Sequence, residues 1–242
     1  MRQLTFAILF LLSSNAIADD QVAASNTLAS EILQSMLPID CAFSANFTQS
    51  QVIQDIPKPI TSNGALLFSC QHGLVWRTQT PTLQILLYGS KGKVNTKHAK
   101  IDADGKLEYL SGRSTRQMAA LLNAIMGSDT AYILKRFDIT QSEQSTVSKR
   151  IHLTPKNKHL KKFITHIELD KQAEIVVIRI INNDTESITI NLNNITNYDA
   201  LNTEICHMAL SQEKAICELF ISGLLPKKSS KKTINTTTNI AQ

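Results

Sequence analysis

The sequence has no apolar run of membrane-spanning length, little net charge, a single tryptophan (Trp76) and no close-set metal ligands. Each shortage excludes something. Without an apolar run of about 20 residues, no helix in the body of the chain can cross a bilayer. The basic excess is small, 25 Lys and Arg against 20 Asp and Glu. Removing Arg2 with the leader leaves 24 against 20, or +4, and Lys227, Lys228, Lys231 and Lys232 crowd into the tail. A nucleic-acid binder carries its basic residues on the folded body, so no nucleic-acid partner is expected. The six histidines (His72, His98, His152, His159, His166, His207) are scattered, with no pair at a spacing that builds a metal site.

Catalytic signatures are missing too. "YGSKGK", Tyr88 to Lys93, has neither the spacing of a phosphate loop nor the Ser or Thr after its Gly-Lys pair. It reads as a turn. Ser90 has no nucleophile elbow around it. "DADGK", Asp102 to Lys106, opens like a calcium loop but lacks the later ligand and the closing Glu, so it reads as a second turn. Asn46 in "NFT" matches a glycosylation acceptor, yet it alternates within a strand pattern. The chain is not expected to be an enzyme, and neither a cofactor nor a metal is expected.

What is present begins with the leader. "MRQ" is basic, "LTFAILFLL" is apolar, and Ala16-Ile17-Ala18 supplies small residues for cleavage. That is a secretory signal over residues 1–18, with no Cys beside the cut to make an amino-terminal lipoprotein. The expected product is exported and soluble, 224 of the 242 residues, enough for one all-β domain.

Along that product the hydrophobic period changes twice. Leu28, Ile32 and Met36, flanked by Leu33 and Leu37, form one face of a helix capped by Ser25 or Asn26 and stopped at Pro38. Phe43, Ala45 and Phe47 then alternate with polar residues, as a half-buried strand requires. "DIPKP" and "TSNG" read as a connection, with Asn63-Gly64 as a turn. "ALLFSC", "LVWRT" and "TLQILLYG" read as three more strands. "STRQMAALLNAIMG" returns to helical spacing, with Ser114 as cap and Gly127 as terminator, and "SDTAYILK" adds a short helix capped by Ser128 or Asp129. "FDIT", "RIHLTP", "FITHIELD", "EIVVIRII" and "SITINLNNI" complete about nine strands. "SQEKAICELF" closes the domain as a helix capped by Ser211, and residues 223–242 read as a disordered basic tail.

Consecutive strands around one helical insertion suit an antiparallel meander. Strands apolar on one face need a cover, for which the candidates are the amino-terminal helix and helix 114–126. A sheet folded onto itself as a packed sandwich has the same periodicity. The four cysteines (Cys41, Cys70, Cys206, Cys217) are even in number, as disulfides in an oxidising compartment require, and allow three connectivities. Pairing neighbours closes the shortest loops, Cys41 with Cys70 and Cys206 with Cys217. The first would tie the first helix to the second strand, and the second would staple the last helix to the strand before it.

The order and spacing of "FSANFTQ", "SNGALLF", "GLVWRTQTP" and "HLTPKNKHLKKFITHIELD" resemble the LolA-type outer-membrane lipoprotein carriers, through Phe43, Phe47, Gln49, Gly64, Leu66, Trp76, Pro81, Leu153, Pro155 and Asp170. The resemblance covers roughly residues 26 to 198 and is closer to the divergent relatives than to the main carrier. It implies a mainly β fold with an α lid, a single curved antiparallel sheet forming an unclosed half-barrel over residues 19–222. It also implies a periplasmic carrier that takes acyl chains of lipoproteins or another lipid towards the outer membrane. The acyl-chain cavity would be lined by Phe47, Leu66, Phe68, Trp76, Met118, Leu121, Leu122 and Ile125. Its implied partners are an inner-membrane export complex and an outer-membrane acceptor. The same half-barrel resembles periplasmic lipid- or lipoprotein-sensing regulatory modules, which is the alternative. One departure stands out: Cys70 and Gln71 occupy the place where typical carriers have a lid-fastening arginine before a proline.

Overall fold

The computed structural model describes residues 27, 29–36, 40–90, 98–142, 149–183, 185–211 and 213–222. The secretory signal expected over residues 1–18 and the basic tail expected over residues 223–242 lie outside the described residues. Eleven strands form one sheet: β1 (Ala42–Val52), β2 (Ile60–Ser69), β3 (Gly73–Thr80), β4 (Gln84–Gly89), β5 (His98–Ile101), β6 (Leu107–Leu110), β7 (Phe137–Ser142), β8 (Lys149–Pro155), β9 (His166–Gln172), β10 (Ile175–Asn183) and β11 (Glu186–Asn197). Helical residues 29–36 (α1) precede the sheet. α2 (Arg113–Met126) and α3 (Thr130–Arg136) interrupt it, and α4 (Thr203–Ala209) and α5 (Lys214–Ser222) follow it.

Every neighbouring pair is antiparallel, in the order β6-β5-β4-β3-β2-β1-β11-β10-β9-β8-β7. The chain lays down β1 to β6 towards one edge, crosses on α2 and α3 to the opposite edge, and returns through β7 to β11 to meet β1. Phe47 stands opposite Leu192 in that last pairing. The sheet is not closed, since β6 and β7 are both edges.

The helices divide between the two faces. On the concave face Leu33 and Met36 of α1, Leu121, Leu122, Ile125 and Met126 of α2 and Ile133 of α3 share one apolar cluster with the sheet. On the outer face Cys206, Leu210, Ile216, Cys217 and Phe220 pack on Leu67, Val75, Ile85, Leu87, Ala99 and Ile101. Strands β2 to β4 are therefore covered on both sides. That is the reason "ALLFSC" and "LVW" are unbroken apolar runs, where a half-buried strand would alternate.

Several local expectations change. Asn63-Gly64 is inside β2 and is not a turn. A Cβ on Gly64 would fall on the Arg77 carbonyl oxygen, so a close approach of β3 at a register shift demands glycine there. Ser114 lies in the first turn of α2, behind an N-cap at Gly112 whose φ of 116° favours glycine, and no side chain caps that helix. Gly127 does end it, and Asp129 caps α3 by accepting from the Tyr132 N–H. Ser128, between the two helices, has φ 49°. The turn read at Asp102–Lys106 is present, with Asp102 Oδ1 accepting from the Asp104 and Lys106 N–H groups, but it joins two strands, β5 and β6, that the sequence did not disclose. Helix α4 is likewise additional to the sequence reading, and Ser211, at φ 55°, lies outside α5.

The cysteines pair as Cys41–Cys70 and Cys206–Cys217. The first joins the start of β1 to the end of β2, where the Cys70 N–H also donates to the Cys41 carbonyl at 2.8 Å. The second links α4 to α5, two helices, and not a helix to a strand as expected. That pair is further anchored by Arg77, whose Nε donates to Glu213 Oε1 at 3.2 Å with both residues under 10% exposed. Removing one partner strands a buried charge. Glu213→Ala should therefore cost about 3–5 kcal/mol in urea unfolding, with much of that recovered in an Arg77→Met, Glu213→Leu double variant. A loss below about 1 kcal/mol is the value of a solvated pair and would contradict this account.

Where α2 crosses β4 and β5, His98 is buried and meets the Tyr88 ring at 5.8 Å. Its Nδ1 has no hydrogen-bond partner among the described residues. Burial and the positive charge of Arg116 hold His98 below the ordinary imidazole range. The unfolded chain then binds a proton near about pH 6.5 that the folded chain resists, so stability is full above that pH and falls as the pH drops towards the folded value. The melting temperature of the wild type should decline between about pH 7.5 and pH 5 more than that of His98→Gln. Parallel curves for the two proteins would remove His98 as a cause.

Candidate functional site: the concave face beneath the helices

The eight residues expected to line an acyl-chain cavity fall on one surface. Phe47 on β1, Leu66 and Phe68 on β2, and Trp76 on β3 project to the same face, and Leu121, Leu122 and Ile125 of α2 descend onto them. These seven are buried; Met118, one turn earlier on α2, is partly buried against the same cluster. The strand face containing Trp76 is the one on which α2 packs.

Gly64 organises the centre of this face. It sits directly across from Phe47, and with no side chain between them the Phe47 ring reaches Trp76, centroid to centroid 4.2 Å. Phe43 and Phe68 form a second tilted pair at 5.5 Å. The Phe68 ring comes so near Gly127 that a Cβ there would lie 2.9 Å from its tip. The end of α2 thus rests on an aromatic floor, and any larger residue would lift it.

The sequence did not reveal how wide this floor is. Ile151, Leu153, Ile167, Leu169, Val176, Ile178, Ile190 and Leu192 from the second half of the sheet belong to the same cluster. Their period-two alternation is the signal available in the sequence; the face they share is decided by the pairing of β1 with β11. At the β4–β5 margin, where α2 crosses, the same face also carries the buried His98, paired across the strands with Tyr88.

The two faces are fastened differently. Outside, α4 and α5 carry a disulfide, the Arg77–Glu213 ion pair and a Ser44–Tyr198 hydroxyl hydrogen bond just before them. Inside, α2 meets the sheet through the apolar side chains of Leu121, Leu122, Ile125 and Met126. Its polar side chains bond locally, as Asn123 Nδ2 does to the Ala119 carbonyl at 2.8 Å and Thr115 to the Ser111 carbonyl. Asn123 Oδ1 is buried without a partner among the described residues. α3 has a polar tie, Lys156 Nζ donating to the Leu134 carbonyl at 2.9 Å. Cys70, in the position of the expected latch, is committed to its disulfide.

Beyond α4 and α5, the outer face over β8 to β10 is polar. Arg150 pairs with Asp170 at 3.1 Å, and Arg179 with Glu168 at 3.1 Å. Burial acts to raise Glu168, but hydrogen bonds from Arg179 and His166 and the nearby His152 outweigh it and hold the carboxyl below its ordinary range.

No curated protein matches the chain in sequence. Among solved structures it is similar to a DUF1329 family protein from Desulfovibrio piger (11% identity, 78% of this chain and 98% of that one, TM-score 0.47). It is also similar to a LolA superfamily protein from Nitrosomonas europaea (10%, 74% and 96%, TM-score 0.43). A third is a putative outer membrane lipoprotein-sorting protein domain from Vibrio parahaemolyticus (8%, 81% and 99%, TM-score 0.44). The family described as outer membrane lipoprotein carrier protein LolA matches residues 41–205, from the first cysteine through the last strand into α4. The chain belongs to the LolA family.

Proposed function

We propose that the protein is a periplasmic carrier that receives acyl chains, from a lipoprotein or another lipid, between α2 and the concave sheet, and moves them towards the outer membrane. The observation that carries this reading is the difference in fastening: the inner cover rests on an apolar floor by apolar contact. Such a cover can be exchanged for another apolar occupant, because hydrocarbon offers the floor the same non-directional burial that α2 gives it. The exchange is energetically substantial. Each buried CH₂ is worth about 0.8 kcal/mol, so a long acyl chain carries on the order of 10 kcal/mol that water would penalise. Met118 and Met126 suit a helix that must repack around varied shapes.

In this reading Phe47, Leu66, Phe68 and Trp76 form the fixed wall, and Met118, Leu121, Leu122 and Ile125 the movable one. Loading at an inner-membrane export complex and delivery to an outer-membrane acceptor would both act on α2. Binding and handover make no covalent bond, so this reading asks no acid–base or nucleophilic chemistry of the site.

Trp76 is the only tryptophan and lies in the proposed path, so the protein reports its own occupancy. Adding a palmitoylated peptide to the full mature chain should change Trp76 emission and carry the peptide through gel filtration with the protein. Leu122→Glu should place a charge under α2, hold it off the sheet and abolish both signals, while far-UV circular dichroism still shows the sheet. The smaller change Leu122→Asn should weaken uptake by about tenfold or more, the cost of one unsatisfied polar group. No emission change and no co-migration with the wild type would refute the carrier reading.

A further inference from the structure

On the outer face of the second half-sheet, residues from two strands converge in a way their spacing in the sequence conceals. His152 on β8 is paired directly with Glu168 on β9. His166 precedes Glu168 by two residues on the same strand, so all three side chains rise from one face. The two imidazoles lie 5.5 Å apart, centroid to centroid. Glu168 Oε1 is 3.8 Å from His152 Nδ1 and 3.5 Å from His166 Nε2, while Oε2 accepts from Arg179 Nη1 at 3.1 Å. One potential ligand atom from each of the three residues falls within 4.8 Å of the others.

We infer that His152, His166 and Glu168 form a binding site for a divalent first-row transition cation of the zinc and copper kind. Two imidazole nitrogens and one carboxylate oxygen are the donor set such ions prefer, whereas magnesium and calcium demand more oxygen ligands. Ligands about 2.0–2.2 Å from a tetrahedral ion stand roughly 3.3 Å from one another. The present separations need only small side-chain rotations to reach that. Arg179 contributes by occupying Oε2, which leaves Oε1 as a single, oriented donor. Coordination requires neutral imidazoles with the proton on Nε2 of His152 and Nδ1 of His166, the nitrogens turned away from the carboxylate. The side chains are 29%, 29% and 18% exposed, open enough for the cation to enter and for water to complete its shell.

The bound cation would clip β8 to β9 on the face opposite the proposed acyl site. The site is thus independent of the carrier reading, and either can fail alone. The sequence offers one faint signal, His166-Ile167-Glu168 alternating on a strand; the third ligand comes from strand register.

The test uses the full mature chain without a histidine tag. Zn²⁺ alone, titrated against a chromophoric zinc chelator, should bind at one equivalent, and Mg²⁺ should not compete. His152→Ala and His166→Ala should each weaken Zn²⁺ binding by about tenfold or more, while His159→Ala, on the separate turn before residues 160–162, should leave it unchanged. Wild type should melt at a higher temperature with Zn²⁺, and the double alanine variant should not. Should the double variant lose cooperative melting, Cu²⁺ bound to the wild type must show two nitrogen ligands by electron paramagnetic resonance. Absence of Zn²⁺ binding by wild type at about 0.1 mM, equal binding by the folded double variant, or a Cu²⁺ spectrum without two nitrogens would each overturn the inference.

Discussion

The pairing of β1 with β11 is the contact on which the molecule depends. It is the one ladder in the sheet between strands distant in sequence; every other neighbour pair is also consecutive along the chain. The local hairpins could form two separate meanders, one of six strands and one of five. Joining them costs the closure of a loop that includes nearly the whole domain, a cost that grows only slowly with length. In return it makes one floor of two half-floors, Phe43, Phe47 and Trp76 from the first and Leu153, Leu169 and Val176 from the second. It also fixes where α2 and α3 must run, since the chain has to travel from β6 to β7 across the opening between them.

From that constraint follows an unequal treatment of the two faces. The outer face near β2 to β5 is sealed by a covalently linked helix pair and an internal ion pair. Rigidity there keeps the curved strands in place whatever happens opposite them. The inner face is covered by helices whose buried contacts are apolar and therefore non-directional. Apolar contact tolerates substitution of one hydrocarbon surface for another, whereas a hydrogen-bonded latch would require a specific replacement. The Cys41–Cys70 bridge braces β1 against β2 and makes no covalent link to α2.

Much of this is readable in the chain, for identifiable reasons. Long periodic segments declare themselves: Ala42–Val52 by alternation and Arg113–Met126 by helical spacing. β5 and β6 escape because each has four residues, with Lys100 and Glu108 breaking any apolar pattern. Gly64 misleads because Asn-Gly is a turn signal locally, while the demand that placed it there comes from the carbonyl of Arg77 on the next strand. α4 and the outer apolar cluster are invisible for a related reason. Leu67, Val75 and Leu87 are outward-facing residues whose burial is explained only by helices far along the chain. Phe47, Leu66, Phe68 and Trp76 share one face because alternation within a strand survives any tertiary arrangement. The His152, His166 and Glu168 group is not legible in the same way, because register between strands is a property of the folded sheet.

The open edges have a mechanical consequence. A closed barrel has a circumference set by its strands and can enlarge its interior only by tearing a ladder of hydrogen bonds. In this sheet β6 and β7 are the two free edges, and α2 and α3 carry the described chain from one to the other. The two ends of α2 are marked by residues in the left-handed region, Gly112 and Ser128, so the bridge has a joint at each end. Spreading the rims therefore stretches no ladder and bends two points of the chain. The interior is thus bounded by two rims that no ladder ties together, less a fixed mould than a purse on a hinge.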